Sequence, residues 1–218
     1  MKELQNILAQ MREIDSSDAK AVLATVVDVK GSSYRLPGAK MLILETGETF
    51  GTVSGGCLEA DVLEWAKQVL KTGKPQVITY DTGTNDDSVF SLNMGCRGIV
   101  RILLERAQNN AYFDFVKNCF ETRQTGVAAT LIRTDSDTNM ETGARLFINK
   151  TEARGNDFEA EIEEQLFAAA QEALQFDRSF CETYRTSSTA EFFIEIIKPP
   201  TNLIVFGAGA DTVPLVEA

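Results

Sequence analysis

A chain of 218 residues without a single histidine cannot by itself build Ser-His-Asp or Cys-His catalysis, an HExxH zinc site or a mixed Cys/His zinc cluster. Its 32 acidic residues against 21 basic ones give a formal charge of -11, which repels nucleic-acid phosphates, and the sequence shows no basic patch to offset it. Hydrophobic residues make up 44% without a run long enough to cross a bilayer, MKELQNILAQMREI is amphipathic rather than a signal peptide, and four cysteines in that setting read as reduced thiols, so a cytoplasmic protein is expected.

From Leu4, the residues Ile7, Leu8, Met11 and Ile14 recur at helical spacing until Asp15, Ser16 and Ser17 break the pattern, which predicts a surface helix with one buried stripe. AVLATVVDV at 21–29 is β-branched and mostly apolar, as a strand covered on both faces is. KGSSYRLPGAK at 30–40 is a loop, and MLILE and ETFGTVS are two strands joined by a tight turn at Thr46 and Gly47, with Gly55 and Gly56 ending the second. Leu58, Val62, Trp65, Ala66 and Val69 share one helix face, stopped by Gly73 and Pro75. QVITY is a short strand, DTGTNDD a polar loop, and GIVRILLERA a strand again from Gly98. The alternation predicts an α/β fold with a mixed sheet over roughly residues 1–108.

Phe113, Val116 and Phe120 mark a helix between 111 and 124, followed by strands at VAATLIR and ARLFINK. NDFEAEIEEQLFAAAQEAL is an acidic helix with Ile162, Leu166, Ala169 and Ala173 inward, and FFIEII is a strand. Residues 109–198 thus form a middle α/β segment expected to pack on the first, and no internal repeat is read. Lys198, Pro199 and Pro200 are stiff punctuation suited to a boundary. NLIVFGAGADTVPLVEA, within 199–218, has the strand, glycines and helix start that open a Rossmann-like βαβ unit, so the expectation is a second domain truncated near its beginning; the alternative is a strand and helix that complete the first domain.

Cys57 stands where a helix begins, directly after Gly55 and Gly56. Unpaired N–H groups and the helix dipole favour an anion there and lower a thiol pKa, and glycines let the backbone pass close to a ligand. The competing reading is a small buried hydrophobe at a helix start. SLNMGCRGIV repeats the arrangement, with Gly95 before Cys96 and Gly98 beyond Arg97, although nothing in the spacing shows that the two thiols meet. Arg97 could stabilise a thiolate, pair with an anionic ligand or face water. Cys119, in an apolar helical pattern, and Cys181, beside Phe180, read as packing residues. Ser32, Ser33 and Arg35, bracketed by Lys30 and Lys40, suit a phosphate or oxyanion, and equally an ordinary solvated loop. Glu59 reads as a first-turn helix acid, or as an acid or base beside Cys57.

GSSYRLPGAKM, GTVSGGCLEADV and LNMGCRG, in that order and followed by GAGADTVPL, resemble the XdhC/CoxI family of xanthine dehydrogenase accessory proteins. The resemblance implies a molybdenum-cofactor chaperone with no turnover of its own. Such a protein binds the molybdopterin cofactor, protects it while a cysteine desulfurase installs its terminal sulfur ligand, and passes it to a xanthine dehydrogenase-type apoenzyme. Residues 1–108 would be the cofactor-binding domain, and a homodimer is compatible with the role. By position the family's glycine-framed cysteines fall on Cys57 and Cys96, and its PGA loop on Pro37, Gly38 and Ala39, whereas Arg97 departs from the small or amide residue expected there. The implied cofactor contacts are Cys57, Cys96, Gly55, Gly56, Gly95, Ser32, Ser33, Arg35 and Arg97, the thiols facing molybdenum and the 30–40 loop facing the phosphate. Thr212 occupies the place of the third glycine of GxGxxG, which argues against NAD(P). Neither nucleic acid nor membrane is expected as a partner. Two other readings stay open: an NAD(P)-binding oxidoreductase, from GAGAD, and a thiol-based metal or redox protein, from Cys57 and Cys96.

Overall fold

Ten strands and five helices carry the fold in a computed structural model that describes residues 2–17, 19–81, 98–135, 140–149, 152–186, 189–202, 204–207, 209–210 and 212–217. β1 (Ala21–Gly31) is buried on both faces through its first seven residues, as its apolar run requires. It pairs with β2 (Lys40–Leu44) on one side and β5 (Gly98–Arg106) on the other, and β3 (Thr49–Gly51) and β4 (Gln76–Asp81) close the order β3-β2-β1-β5-β4. A second sheet is built from β6 (Gly126–Thr134), β7 (Arg145–Ile148), β8 (Ala153–Gly155), β9 (Phe180–Arg185) and β10 (Thr189–Ile197), in the order β8-β7-β6-β10-β9. The α/β class expected from the sequence holds. The mixed sheet resolves into two sheets, each antiparallel at every described pairing, because short links join β1 to β2, β2 to β3 and their counterparts.

The second half repeats the first. α1 (Lys2–Asp15) precedes β1 and α2 (Glu59–Thr72) links β3 to β4; α3 (Ala111–Thr122) precedes β6 and α4 (Ala160–Phe176) links β8 to β9. Residues correspond at a near-constant offset: Ile7, Met11 and Ile14 of α1 match Tyr112, Val116 and Cys119 of α3, and all six are buried. Gly38 N donates to Val26 O at 2.8 Å, and Gly143 N donates to Leu131 O at 2.8 Å. Gly51 and Gly155 both have positive φ, and a Cβ on either would run into the carbonyl oxygen of Lys40 or Arg145. Even the register shifts agree, since β1 steps from Val26 to Asp28 against β5, and β6 steps from Leu131 to Arg133 against β10. The repeat escapes the eye in one dimension because identity survives only in fragments such as VLATVV beside VAATLI and PGAKMLI beside TGARLFI.

Strand alternation decides how the layers pack. Val22, Ala24 and Val26 face Val62, Ala66 and Val69 of α2, while Val127, Ala129 and Leu131 face Ile162, Leu166 and Ala170 of α4. The opposite faces of both sheets converge on α1 and α3 through Leu23, Leu42, Ala128 and Phe147. The two skipped residues, Val27 and Ile132, meet Leu103 and Phe193 in a smaller cluster. Two buried ion pairs cross from one half to the other. Lys40 Nζ lies 2.5 Å from Glu195 Oε1, and Arg145 grips Glu105 with both guanidinium branches, Nη1 donating to Oε2 at 2.8 Å. The Tyr112 ring lies between the two cations, its centroid 4.9 Å from Lys40 Nζ and 5.3 Å from Arg145 Cζ, and its hydroxyl donates to Glu195 at 3.3 Å. Lys40, expected beside a ligand loop, is therefore a buried element of this seam.

At the carboxy-terminal end, α5 (Thr212–Glu217) occupies the expected helix, but residues 202 and 204–207 form no strand. A strand needs a neighbour to take its N–H and C=O groups, and among the described residues none pairs with this stretch; Ile204 and Phe206 are 71% and 92% exposed.

Candidate functional site

Loops 32–39 and 52–58 and the start of β5 gather at one end of the first sheet. Gly98 pairs with Gly31, and a Cβ on it would lie 2.5 Å from Lys30 O and 2.8 Å from Ser32 O. The ring of Tyr34 packs on Gly55, whose added Cβ would meet Tyr34 Cγ at 3.1 Å, yet Tyr34 is still 72% exposed. Glu3 of α1 ties the two loops together: its Oε1 accepts from Thr52 N at 2.9 Å, and its Oε2 accepts from Arg35. Arg35 is thus ion-paired, Ser33 is half-buried and Ser32 exposed. Beside them opens a cleft of about 490 Å³ bounded by Tyr34, Leu36, Phe120, Ser179 and Lys198.

The Cys57 turn is organised by two side chains on either side of it. Ser54 is buried, and its Oγ accepts from the backbone N–H groups of Gly56 (3.2 Å), Cys57 (3.1 Å) and Leu58 (3.1 Å). That hydroxyl donates in turn to Glu59 Oε2. Glu59 also accepts from Ser54 N at 2.9 Å and Leu58 N at 3.2 Å, and Thr52 Oγ1 lies 2.5 Å from its Oε1. Convergence of three successive amides on one oxygen requires the left-handed backbone of Gly56, φ 102°, where the space around it is open. Cys57 itself is exposed.

This arrangement bears on two expectations. The amides of Gly56, Cys57 and Leu58, just ahead of α2, are not unpaired, because Ser54 and Glu59 already occupy them, so these three are not free to hold a thiolate. Glu59 serves here as an ionised acceptor: burial works against its charge, but hydrogen bonds from Ser54 and Thr52 outweigh it and hold its carboxyl below the ordinary 4.5. Glu3, Thr52 and Ser54 carry no signal in the sequence pattern; the spacing of Ser54 and Glu59 does not match a capping box, which would have pointed to them.

Gly55, Gly56, Cys57, Ser32, Ser33 and Arg35 therefore share one end of the first sheet, whereas Gly95, Cys96 and Arg97 lie outside the described residues. The other two thiols belong to the packing. Cys119 is buried in α3, and burial pushes its thiol up to about 11. Cys181 donates from Sγ to Val27 O at 3.0 Å, and burial with the nearby Asp28 pushes it up to about 12. Among the described residues no group of three or more Cys, Asp or Glu is placed to hold a metal, and no helix is long and apolar enough to cross a membrane.

A twice-built α/β scaffold thus presents an exposed thiol on a glycine turn. Residues 16–81, which hold β1, both loops and the Cys57 turn, match the XdhC and CoxI family. A Bacillus subtilis (strain 168) protein, named as a probable xanthine dehydrogenase subunit, is 32% identical over 198 residues, covering 90% of this chain and 55% of that protein. The Escherichia coli (strain K12) molybdenum cofactor insertion chaperone PaoD is 32% identical over 104 residues, 48% of this chain and 32% of its own length. A crystal structure of a xanthine dehydrogenase from Bacillus halodurans superposes with a TM-score of 0.70 and 26% identity, over 96% of this chain and 58% of that one. The family match is confined to residues 16–81, and the chain spans 55% and 32% of these two curated relatives.

Proposed function

We propose that this chain acts in molybdenum-cofactor delivery: it binds the molybdopterin cofactor as cargo, shelters it while a cysteine desulfurase supplies the terminal sulfur, and hands it to a xanthine dehydrogenase-type apoenzyme in the cytoplasm. The observation that carries this reading is the exposed Cys57 thiol on a turn whose own amides are already satisfied, within the segment shared with the family. A soft thiolate suits a sulfur-ligated oxo-metal, so Cys57 is the main contact to the molybdenum end and Cys96 a second contact or sulfur relay. Ser32, Ser33 and Arg35 hold the phosphate; Arg35 exchanges its pairing with Glu3 for the ligand, and Arg97 adds charge beside Cys96. Gly55, Gly56 and Gly95 leave room for the cargo to approach the backbone. The protein carries out no turnover, takes no NAD(P), and works as a monomer or homodimer.

Cys57→Ala, Cys96→Ala and the double variant test the assignment, after incubation with cofactor released from a purified molybdenum hydroxylase. Cys57→Ala is expected to reduce retained molybdenum and pterin fluorescence by about tenfold, a loss equal to one charge-assisted contact, and the double variant to abolish retention. Undiminished retention in the double variant removes the thiols from the mechanism. Zinc without pterin in the wild-type protein supports the thiol-metal reading instead.

A further inference from the structure

Resting on that reading of Cys57, we infer that Glu59 is a positioning residue of the cofactor site: acting through Ser54, it fixes the turn on which Cys57 is presented. The chain contains its own control for this inference, because the same strand-to-helix connection is built twice. Between β8 and α4 the second half uses residues 156–159, Asn-Asp-Phe-Glu, with no glycine, cysteine or hydroxyl side chain among them. There Phe158 N donates to Glu163 Oε1 at 3.3 Å, from the next turn of the helix. α4 nevertheless runs for 17 residues, longer than the 14 of α2. The scaffold therefore enters its helix without a Ser–Glu network, and the one in the first half answers to something other than the fold.

What the network does is mechanical. Ser54 Oγ gathers the amides of Gly56, Cys57 and Leu58, but a hydroxyl accepts well only if its own hydrogen is directed elsewhere, and Glu59 Oε2 takes that hydrogen. Glu59 Oε1 meanwhile anchors Ser54 N and Thr52, whose backbone N–H is held by Glu3. Both oxygens of the carboxylate are needed as acceptors. In Glu59→Gln one of them becomes an NH2 facing either Ser54 Oγ and Leu58 N or Thr52 and Ser54 N, so donors oppose donors and the turn loses its fixed shape. Because the three amides are committed to Ser54, the role of Glu59 is to place the sulfur.

A double-mutant cycle separates this from a general effect on stability. With cofactor released from a molybdenum hydroxylase as the probe, Glu59→Gln is expected to lower affinity about tenfold when Cys57 is present, and by less than about twofold in a Cys57→Ala background. In the protein without cofactor, hydrogen exchange of the amides of 56–58 should accelerate about tenfold or more in Glu59→Gln while β1 stays protected, which also shows that the variant is folded. Ser54→Ala should reproduce both results by removing the shared oxygen. Equal losses of affinity in the two backgrounds, or unchanged exchange at 56–58, overturn the inference. Failure of the cofactor reading has a different signature: the wild-type protein binds no cofactor although exchange at 56–58 still accelerates in Glu59→Gln, a result that rejects the cofactor role and leaves only the mechanical coupling.

Discussion

The two halves share their sheet order, their paired glycines and their buried ion pairs, and differ where the first carries loops 32–39 and 52–58. Gly38 and Gly143 close the same turn, but the residues before them are Arg35, Leu36 and Pro37 in one half and Met140, Glu141 and Thr142 in the other. The features retained in both copies are those that packing and backbone geometry demand. The features present in one copy, the Tyr34 platform on Gly55 and the Ser54–Glu59 support of Cys57, are those the fold does without. An internal duplication thereby separates scaffold from site without any comparison between species.

The strongest way to break this picture is to attack what both halves share. Glu105→Ala leaves Arg145 buried without its counter-charge and should cost about 3–5 kcal/mol, read as a fall in urea midpoint with a single transition for the whole protein. Two separate transitions would show that the halves are not coupled through the seam. Next in size are Gly51→Ala and Gly155→Ala, each forcing a side chain into positive φ against a carbonyl; both should lose more than about 1–2 kcal/mol, and by similar amounts. A large difference between them would weaken the equivalence of the copies. The smallest effect is specific to the first half. Because the folded Glu59 carboxyl is held below 4.5, its stabilisation is complete above that value and is lost as the pH falls through the lower folded pKa. The melting temperature of wild type should therefore exceed that of Glu59→Gln at pH 7, and the gap should close in acid; a gap that persists at about pH 2 would contradict the assignment.

Much of the architecture is legible in the sequence because periodicity reports burial directly. Ile7, Met11 and Ile14 mark α1, the AVLATVV run marks β1, and Ile162, Leu166 and Ala169 mark α4. Less legible are β8, three exposed residues, and β9, whose FCETYR alternation is only partly buried at an edge. The stretch at 202–206 has strand composition without a strand partner among the described residues, and composition carries no information about neighbours. At the site, Cys57 and its glycines are visible as unusual residues in an unusual order. Their supports are not: Glu3, Ser54 and Glu59 are ordinary residue types whose roles arise from where the chain brings them, and a carboxylate that gathers donors from both ends of a turn looks in one dimension like any first-turn acid.

The crossed ion pairs make each copy the custodian of a charge it cannot neutralise alone. Cleaving the chain between α3 and the strand before it would leave Lys40 and Glu105 on one fragment and Glu195 and Arg145 on the other, every one of them torn from its native mate. A minimal version of the molecule reduced to its thiol-bearing half would first need those charges replaced by apolar side chains of like volume.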